Sequence, residues 1–311
     1  MTDKLEQLMF ANQKVQMPGE LMNRVAIIGG GQMGRGLAQL IAGKGREVIL
    51  IEKDDATAEM AKQKLSVEMD QEIERWGMTT GEKRGVLSRI VFTSDISSVS
   101  ECELVIEAIP ENLEMKQALF QRLDQLCDVE TIFVTNTSTL SITEIATTTV
   151  EYRQELIIGL HFLHPVPKIP VVEIIRGLRT SDKTYEKIRD FSRSLGKTDV
   201  EVYEYPGYVT TRVILPMLNE AMYTLMEGIA TAEGIDTAMK LGFNMPKGPL
   251  ALADEIGLDE VLYWMESLFK ELGDLKYRPC PILKKKVRAG HLGRKVGRGF
   301  FEYAKPQGYH A

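Results

Sequence analysis

Val25-Ala26-Ile27-Ile28 runs directly into Gly29-Gly30-Gly31-Gln32-Met33-Gly34, and Leu37, Ala38, Leu40 and Ile41 follow at helical spacing. An apolar strand, a turn fitting G-x-G-x-x-G at Gly29, Gly31 and Gly34, and an amphipathic helix, in that order, commit the chain to a dinucleotide-binding α/β unit. The glycines let the backbone turn tightly and touch a pyrophosphate, whose charge the helix N-terminus meets. Gln32 and Met33 lie inside the same turn and join the coenzyme-contacting candidates. A second strand over residues 47–51 ends at Glu52, about twenty positions past the glycines, where a carboxylate accepts hydrogen bonds from the adenine-side ribose and repels a 2′-phosphate. The expected coenzyme is therefore NAD rather than NADP.

The α/β alternation continues. Residues 56–89 read as helix, broken into a pair at 77–81. Strands follow at 90–93 and 104–106, and Asn112 is placed to cap a helix running to about Cys127. The strand at 132–134 leads into Thr135-Asn136-Thr137-Ser138-Thr139, a polar loop at a strand's carboxyl end, where ligands of open α/β sheets collect. Thr180 or Ser181 caps a helix over about 183–195 with Gly196 as its stop, and a strand at 200–203 closes the pattern.

Between these elements lies LIIGLHFLHPVPKIPVVEII, residues 156–175. Two β-branched runs flank a segment punctuated by Pro165, Pro167 and Pro170, which reads as strand, turn, strand. His161 caps the first strand and Glu173 lies inside the second, so the two can face each other across one connection. A carboxylate beside an imidazole favours the imidazolium and fixes its tautomer, as a general base requires. The same two side chains also make an ordinary structural pair.

At Pro206-Gly207 the character changes to helical periodicity, with helices near 209–226, 232–241, 250–256, 258–272 and 281–289. The one late strand candidate is 299–303, and the run 283–299 holds seven Lys or Arg and no acid. Two domains follow, 1–205 and 206–311, and 311 residues suffice for two cores. The N-terminal 21 residues carry no interpretable motif beyond a short helix near 5–10. A net charge of -6 argues against nucleic acid, and no uncharged run approaches membrane-spanning length. Three scattered cysteines read as reduced thiols in a cytoplasm, without metal-ligand spacing.

With these pieces in order the chain resembles the L-3-hydroxyacyl-CoA dehydrogenases from about Asn23 to Tyr303. GGGQMGRGLAQ, VIEAIPENLEMKQALF, TNTSTLSIT, GLHFLHPVPKIPVVEII, PGYVTTR, IDTAMKLGFNMPKGP, IGLD and GRKVGRGFF are similar to that family's signatures in their order. The resemblance implies a Rossmann-like, mostly parallel sheet domain followed by an all-α C-terminal domain that dimerises. It implies NAD-linked oxidation of the 3-hydroxyl of an acyl-CoA, short-chain as in 3-hydroxybutyryl-CoA, in fermentative butyrate metabolism or β-oxidation. By position, it makes His161 the general base, Glu173 its support and Ser138 the donor to the reacting oxygen. Asn136 falls near the nicotinamide, and Glu111, Lys116 and Lys295 match cofactor-contacting positions.

Two positions depart from the pattern. His164 stands where the family has asparagine, and Thr211 replaces a second asparagine in PGYVTTR. Both belong to the substrate-binding set, as does Arg75 near a family lysine that contacts CoA. Two other readings therefore stay open: a dehydrogenase of a free hydroxy acid of the L-gulonate or carnitine kind, and an NAD-binding protein without turnover. The pairing of His161 with His164 as metal ligands lacks a third ligand placed by sequence.

Overall fold

The computed structural model describes residues 22–304. The helix expected near residues 5–10 lies outside them. Eight strands form one sheet in the order β3-β2-β1-β4-β5-β6-β7-β8: β1 (Arg24–Ile28), β2 (Glu47–Ile51), β3 (Ile90–Thr93), β4 (Leu104–Glu107), β5 (Ile132–Thr135), β6 (Ile157–Phe162), β7 (Val171–Arg176) and β8 (Thr198–Tyr203). Every neighbouring pair is parallel except β6 with β7, the proline-punctuated hairpin. Alternate residues of the inner strands enter different cores. Val25 and Ile27 pack on one face with Leu37 and Ile41, while Ala26 and Ile28 pack on the other with Phe120 and Phe133. Burial on both faces explains the unbroken apolar runs in the sequence.

Helices α1 (Gln32–Gly43), α2 (Asp55–Glu74), α3 (Thr80–Leu87), α4 (Leu113–Leu126) and α7 (Asp182–Ser194) cover the sheet, with short α5 (Ile142–Ala146) and α6 (Glu151–Gln154) between β5 and β6. The expected break in the first crossover falls between α2 and α3, where Trp76 takes φ 58° before Gly77. Thr79 then opens α3 with a reciprocal capping box to Glu82. Asn112 caps α4 as expected, and of the two candidates for α7 Ser181 is the cap.

The remaining helices, α8 (Thr210–Met226), α9 (Ala232–Phe243), α10 (Pro249–Ile256), α11 (Leu258–Leu272) and α12 (Pro281–Arg288), enclose a third core around Leu218, Met222, Val261 and Met265. Two expectations need correction. His161 lies inside β6 rather than capping it, because the ladder continues through Phe162 to Val172. Residues 299–303 form no strand, only an isolated bridge between Arg298 and Glu302. The aromatic tail instead wraps onto buried Asp254, which accepts from Phe300 N at 2.8 Å, Phe301 N at 2.9 Å and the Tyr303 hydroxyl at 3.0 Å. No described helix is long and apolar enough to cross a membrane.

Candidate active site

The coenzyme end follows from the glycine turn. Gly29 has φ 101°, and a Cβ there would meet the Ala108 carbonyl at 2.6 Å, so both conformation and space require glycine. A Cβ on Gly34 would lie 1.8 Å from Gly29 O, whereas one on Gly31 would meet nothing within 4 Å. Gly31 thus faces open space as the N-cap of α1, and no side chain caps that helix. Unclaimed N–H groups at an open helix N-terminus suit a pyrophosphate. At the end of β2 the Glu52 carboxylate accepts from Gly30 N at 2.6 Å and Lys53 N at 3.2 Å, which holds it beside the turn.

The chemical end is assembled by the antiparallel pair. β6 and β7 place His161 directly opposite Glu173 in register. Both are nearly enclosed, and Nδ1 lies 2.6 Å from Glu173 Oε2. The other carboxylate oxygen accepts from Val209 N and Thr210 N, each at 2.9 Å, while the Thr210 hydroxyl donates to Oε2 at 2.7 Å. Burial alone would raise the Glu173 pKa, but hydrogen bonds from His161 and Thr210 outweigh it and hold the carboxyl below its ordinary value. A carboxylate so placed takes the Nδ1–H, which leaves the lone pair on Nε2. Ser138 Oγ lies 3.2 Å from that nitrogen.

Ser138 is held from behind by Glu111, whose Oε1 accepts from Ser138 N at 2.9 Å and Thr139 N at 3.0 Å and from the Thr137 hydroxyl. Lys116 is completely buried, so the structure gives it a supporting place rather than an open face. Its ammonium donates to Glu107 Oε1 at 2.6 Å and sits 3.5 Å from Glu111 Oε2. Asn136 Oδ1 accepts from Phe162 N at 3.3 Å, tying the polar loop to β6. These groups form one connected cluster at the carboxyl ends of β4 and β5.

The other candidates lie further out. The Gln32 amide nitrogen is 2.9 Å from His164 Nε2, an arrangement that suits donation to a neutral imidazole, so His164 bridges the glycine turn and the β6–β7 hairpin. Packing lowers the His164 pKa although part of the ring stays exposed. Thr211 is buried in the first turn of α8, Lys295 pairs with Asp259 at 2.6 Å, Met33 packs against the sheet core, and Arg75 is exposed at the end of α2. Among the described residues no group of three His, Cys, Asp or Glu is placed to hold a metal ion. Sequence reasoning missed Glu107 and Thr210. A lone acid in the apolar run LVIEAI was the available signal for the first, and nothing local signalled the second.

Two family models match in tandem: the 3-hydroxyacyl-CoA dehydrogenase NAD binding domain over residues 24–205, and the 3-hydroxyacyl-CoA dehydrogenase C-terminal domain over 207–303. The chain belongs to the 3-hydroxyacyl-CoA dehydrogenase family. As such it is an NAD-dependent oxidoreductase. It is 45% identical over 282 residues to a probable 3-hydroxybutyryl-CoA dehydrogenase of Bacillus subtilis, covering 91% of this chain and 98% of that one. A crystal structure of (S)-3-hydroxybutyryl-CoA dehydrogenase from Ralstonia eutropha superposes with a TM-score of 0.83 at 41% identity, covering 91% of this chain and all of the other. A diketoreductase, described as acting on dicarbonyl compounds, matches with a TM-score of 0.80 at 27% identity over 92% of this chain and all of that one.

Proposed function

We propose that this enzyme interconverts short-chain L-3-hydroxyacyl-CoA, 3-hydroxybutyryl-CoA in particular, with the 3-ketoacyl-CoA. The observation that carries the reading is the chain of contacts Ser138, His161, Glu173 at the mouth of the sheet. NAD, when bound, supplies the hydride acceptor. In oxidation His161 Nε2 takes the hydroxyl proton, Glu173 stabilises the imidazolium formed, and Ser138 Oγ holds the reacting oxygen within reach. In reduction the same imidazolium returns the proton. Gly29, Gly31, Gly34, Gln32, Met33 and Glu52 hold the dinucleotide, with Asn136, Glu111 and Lys295 bordering it and Lys116 behind. His164, Thr211 and Arg75 line the approach of the acyl thioester. We place the domain boundary at 205/206, where β8 has ended and α8 has yet to begin. The enzyme is assigned to the cytoplasm.

Oxidation of NADH with acetoacetyl-CoA, against free acetoacetate, tests the reaction. Turnover of the thioester at least about 100-fold faster is expected, since binding energy from a remote group is used at the reacting centre. Equal turnover of free acetoacetate favours the second reading, a carbonyl compound without CoA. The engagement of His164 with Gln32 and the likeness to the diketoreductase support that alternative. No turnover of either leaves an NAD-binding protein without catalysis.

Two further expectations arise here. With Glu52 beside the turn, kcat/KM for NAD exceeds that for NADP by about 100-fold, as expected for a like-charge contact costing a few kcal/mol. Parity between the coenzymes would move Glu52 off the ribose. Val213, Ile229, Leu241 and Phe243, on or beside α8 and α9, are 68–81% exposed. Apolar groups left so open suit a second copy of the chain. A homodimer through residues 207–311 is expected by light scattering at micromolar concentration, and a monodisperse monomer would overturn it.

A further inference from the structure

Resting on that reaction, we propose that Tyr208 is a positioning residue whose hydroxyl holds the loop carrying Ser138 while its ring backs His161. The side chain is 3% exposed, and its ring centroid lies 5.6 Å from that of the imidazole with the planes tilted by 58°. Its hydroxyl crosses to the polar loop and donates to the Leu140 carbonyl at 3.1 Å, two residues past Ser138.

The backbone around Tyr208 is built for this reach. Gly207 has φ 80° and Tyr208 φ 48°, a left-handed conformation that bulky side chains avoid. The next two amides are those that bind Glu173. One four-residue segment leading into the first residue of α8 therefore touches His161 through a ring, Glu173 through two amides and a hydroxyl, and the Ser138 loop through a phenol. Glu111 grips the same loop by the amides of Ser138 and Thr139. Ser138 Oγ stands 3.2 Å from His161 Nε2, near the long end of the hydrogen-bond range, so a small drift of the loop breaks that contact. Burial holds the phenol well above its ordinary pKa, so it remains a neutral donor through the working range.

The test is a double-mutant cycle of Tyr208→Phe and Ser138→Ala, with kcat read from NADH and acetoacetyl-CoA. Amide hydrogen exchange is followed in parallel on the peptide spanning 137–140 in the coenzyme-free protein. Phenylalanine keeps the ring and loses the hydroxyl's hold on the same loop, at the Leu140 carbonyl and the Thr137 side chain. It is expected to cost about tenfold in kcat alone, and less than about twofold where Ser138 is already alanine, because the hydroxyl acts through that serine. Exchange in the loop should quicken in Tyr208→Phe. The same loss in both backgrounds, no loss in the first, or unchanged exchange would overturn the assignment. Absence of thioester turnover in the unsubstituted enzyme sinks the proposed reaction instead, and the exchange experiment still decides whether Tyr208 holds the loop.

Discussion

His161→Asn lowers kcat for NADH-dependent reduction of acetoacetyl-CoA by about 10²- to 10⁴-fold, the usual worth of a positioned general acid–base group. The shorter amide can stand near the place of Nδ1 and still donate to Glu173, but it does not reach Ser138 and neither gives up nor takes up a proton at working pH. Structure should survive the change. Glu173 keeps the amides of Val209 and Thr210 and the Thr210 hydroxyl, so the buried carboxylate is not left unpaired. Thermal melting is therefore expected within a few degrees of wild type, which separates lost chemistry from lost fold. His164→Asn provides the contrast. It breaks only the contact with Gln32 and is expected to cost less than about tenfold in kcat, since that ring holds and does not transfer a proton. The base assignment fails if His164→Asn abolishes turnover while His161→Asn leaves it near wild type.

How much of this was legible in the sequence depended on whether the cause was local. The inner strands of the sheet were legible because burial on both faces demands unbroken apolar runs, and the glycine turn because no other residue fits at Gly29. His161 and Glu173 could be paired because a single hairpin sets their register. The hold of Glu111 on the Ser138 loop joins residues 27 positions apart in different crossovers, and no spacing rule connects them. The run 299–303 looked like a strand because aromatics and alternation suit one. Its partner was the side chain of Asp254, 46 positions earlier, rather than another strand. Lys116 matched a coenzyme-contacting position, yet its burial depends on Glu107, whose carboxylate turns inward from the end of β4.

That buried pair sets the second large effect: Lys116→Met should destabilise the protein by about 3–5 kcal/mol at neutral pH, the range for removing one partner of an enclosed ion pair. Both side chains have no exposed surface, and Glu107 would keep only the Thr135 hydroxyl at 2.6 Å and Ile109 N at 2.7 Å. The loss should depend on pH with a definite sign. Burial already lifts the Glu107 pKa above the ordinary carboxylate value, and Lys116 opposes that rise, so removing the cation lifts it further. A carboxyl with a higher pKa folded than unfolded holds more protons when folded. Its contribution is complete below the unfolded value and is lost as pH rises through the folded one. The deficit measured from urea midpoints should therefore be smaller at pH 5 than at pH 8, where the methionine variant must either bury a bare carboxylate or protonate it at a cost. Pairing the change with Glu107→Gln should recover part of the loss at pH 8 and little at pH 5, because the amide removes the charge that made pH matter. A deficit below about 1 kcal/mol, or one equal at the two pH values, would mean that water or another cation reaches Glu107, and the pair would then not be the dry anchor that supports Glu111 and the Ser138 loop.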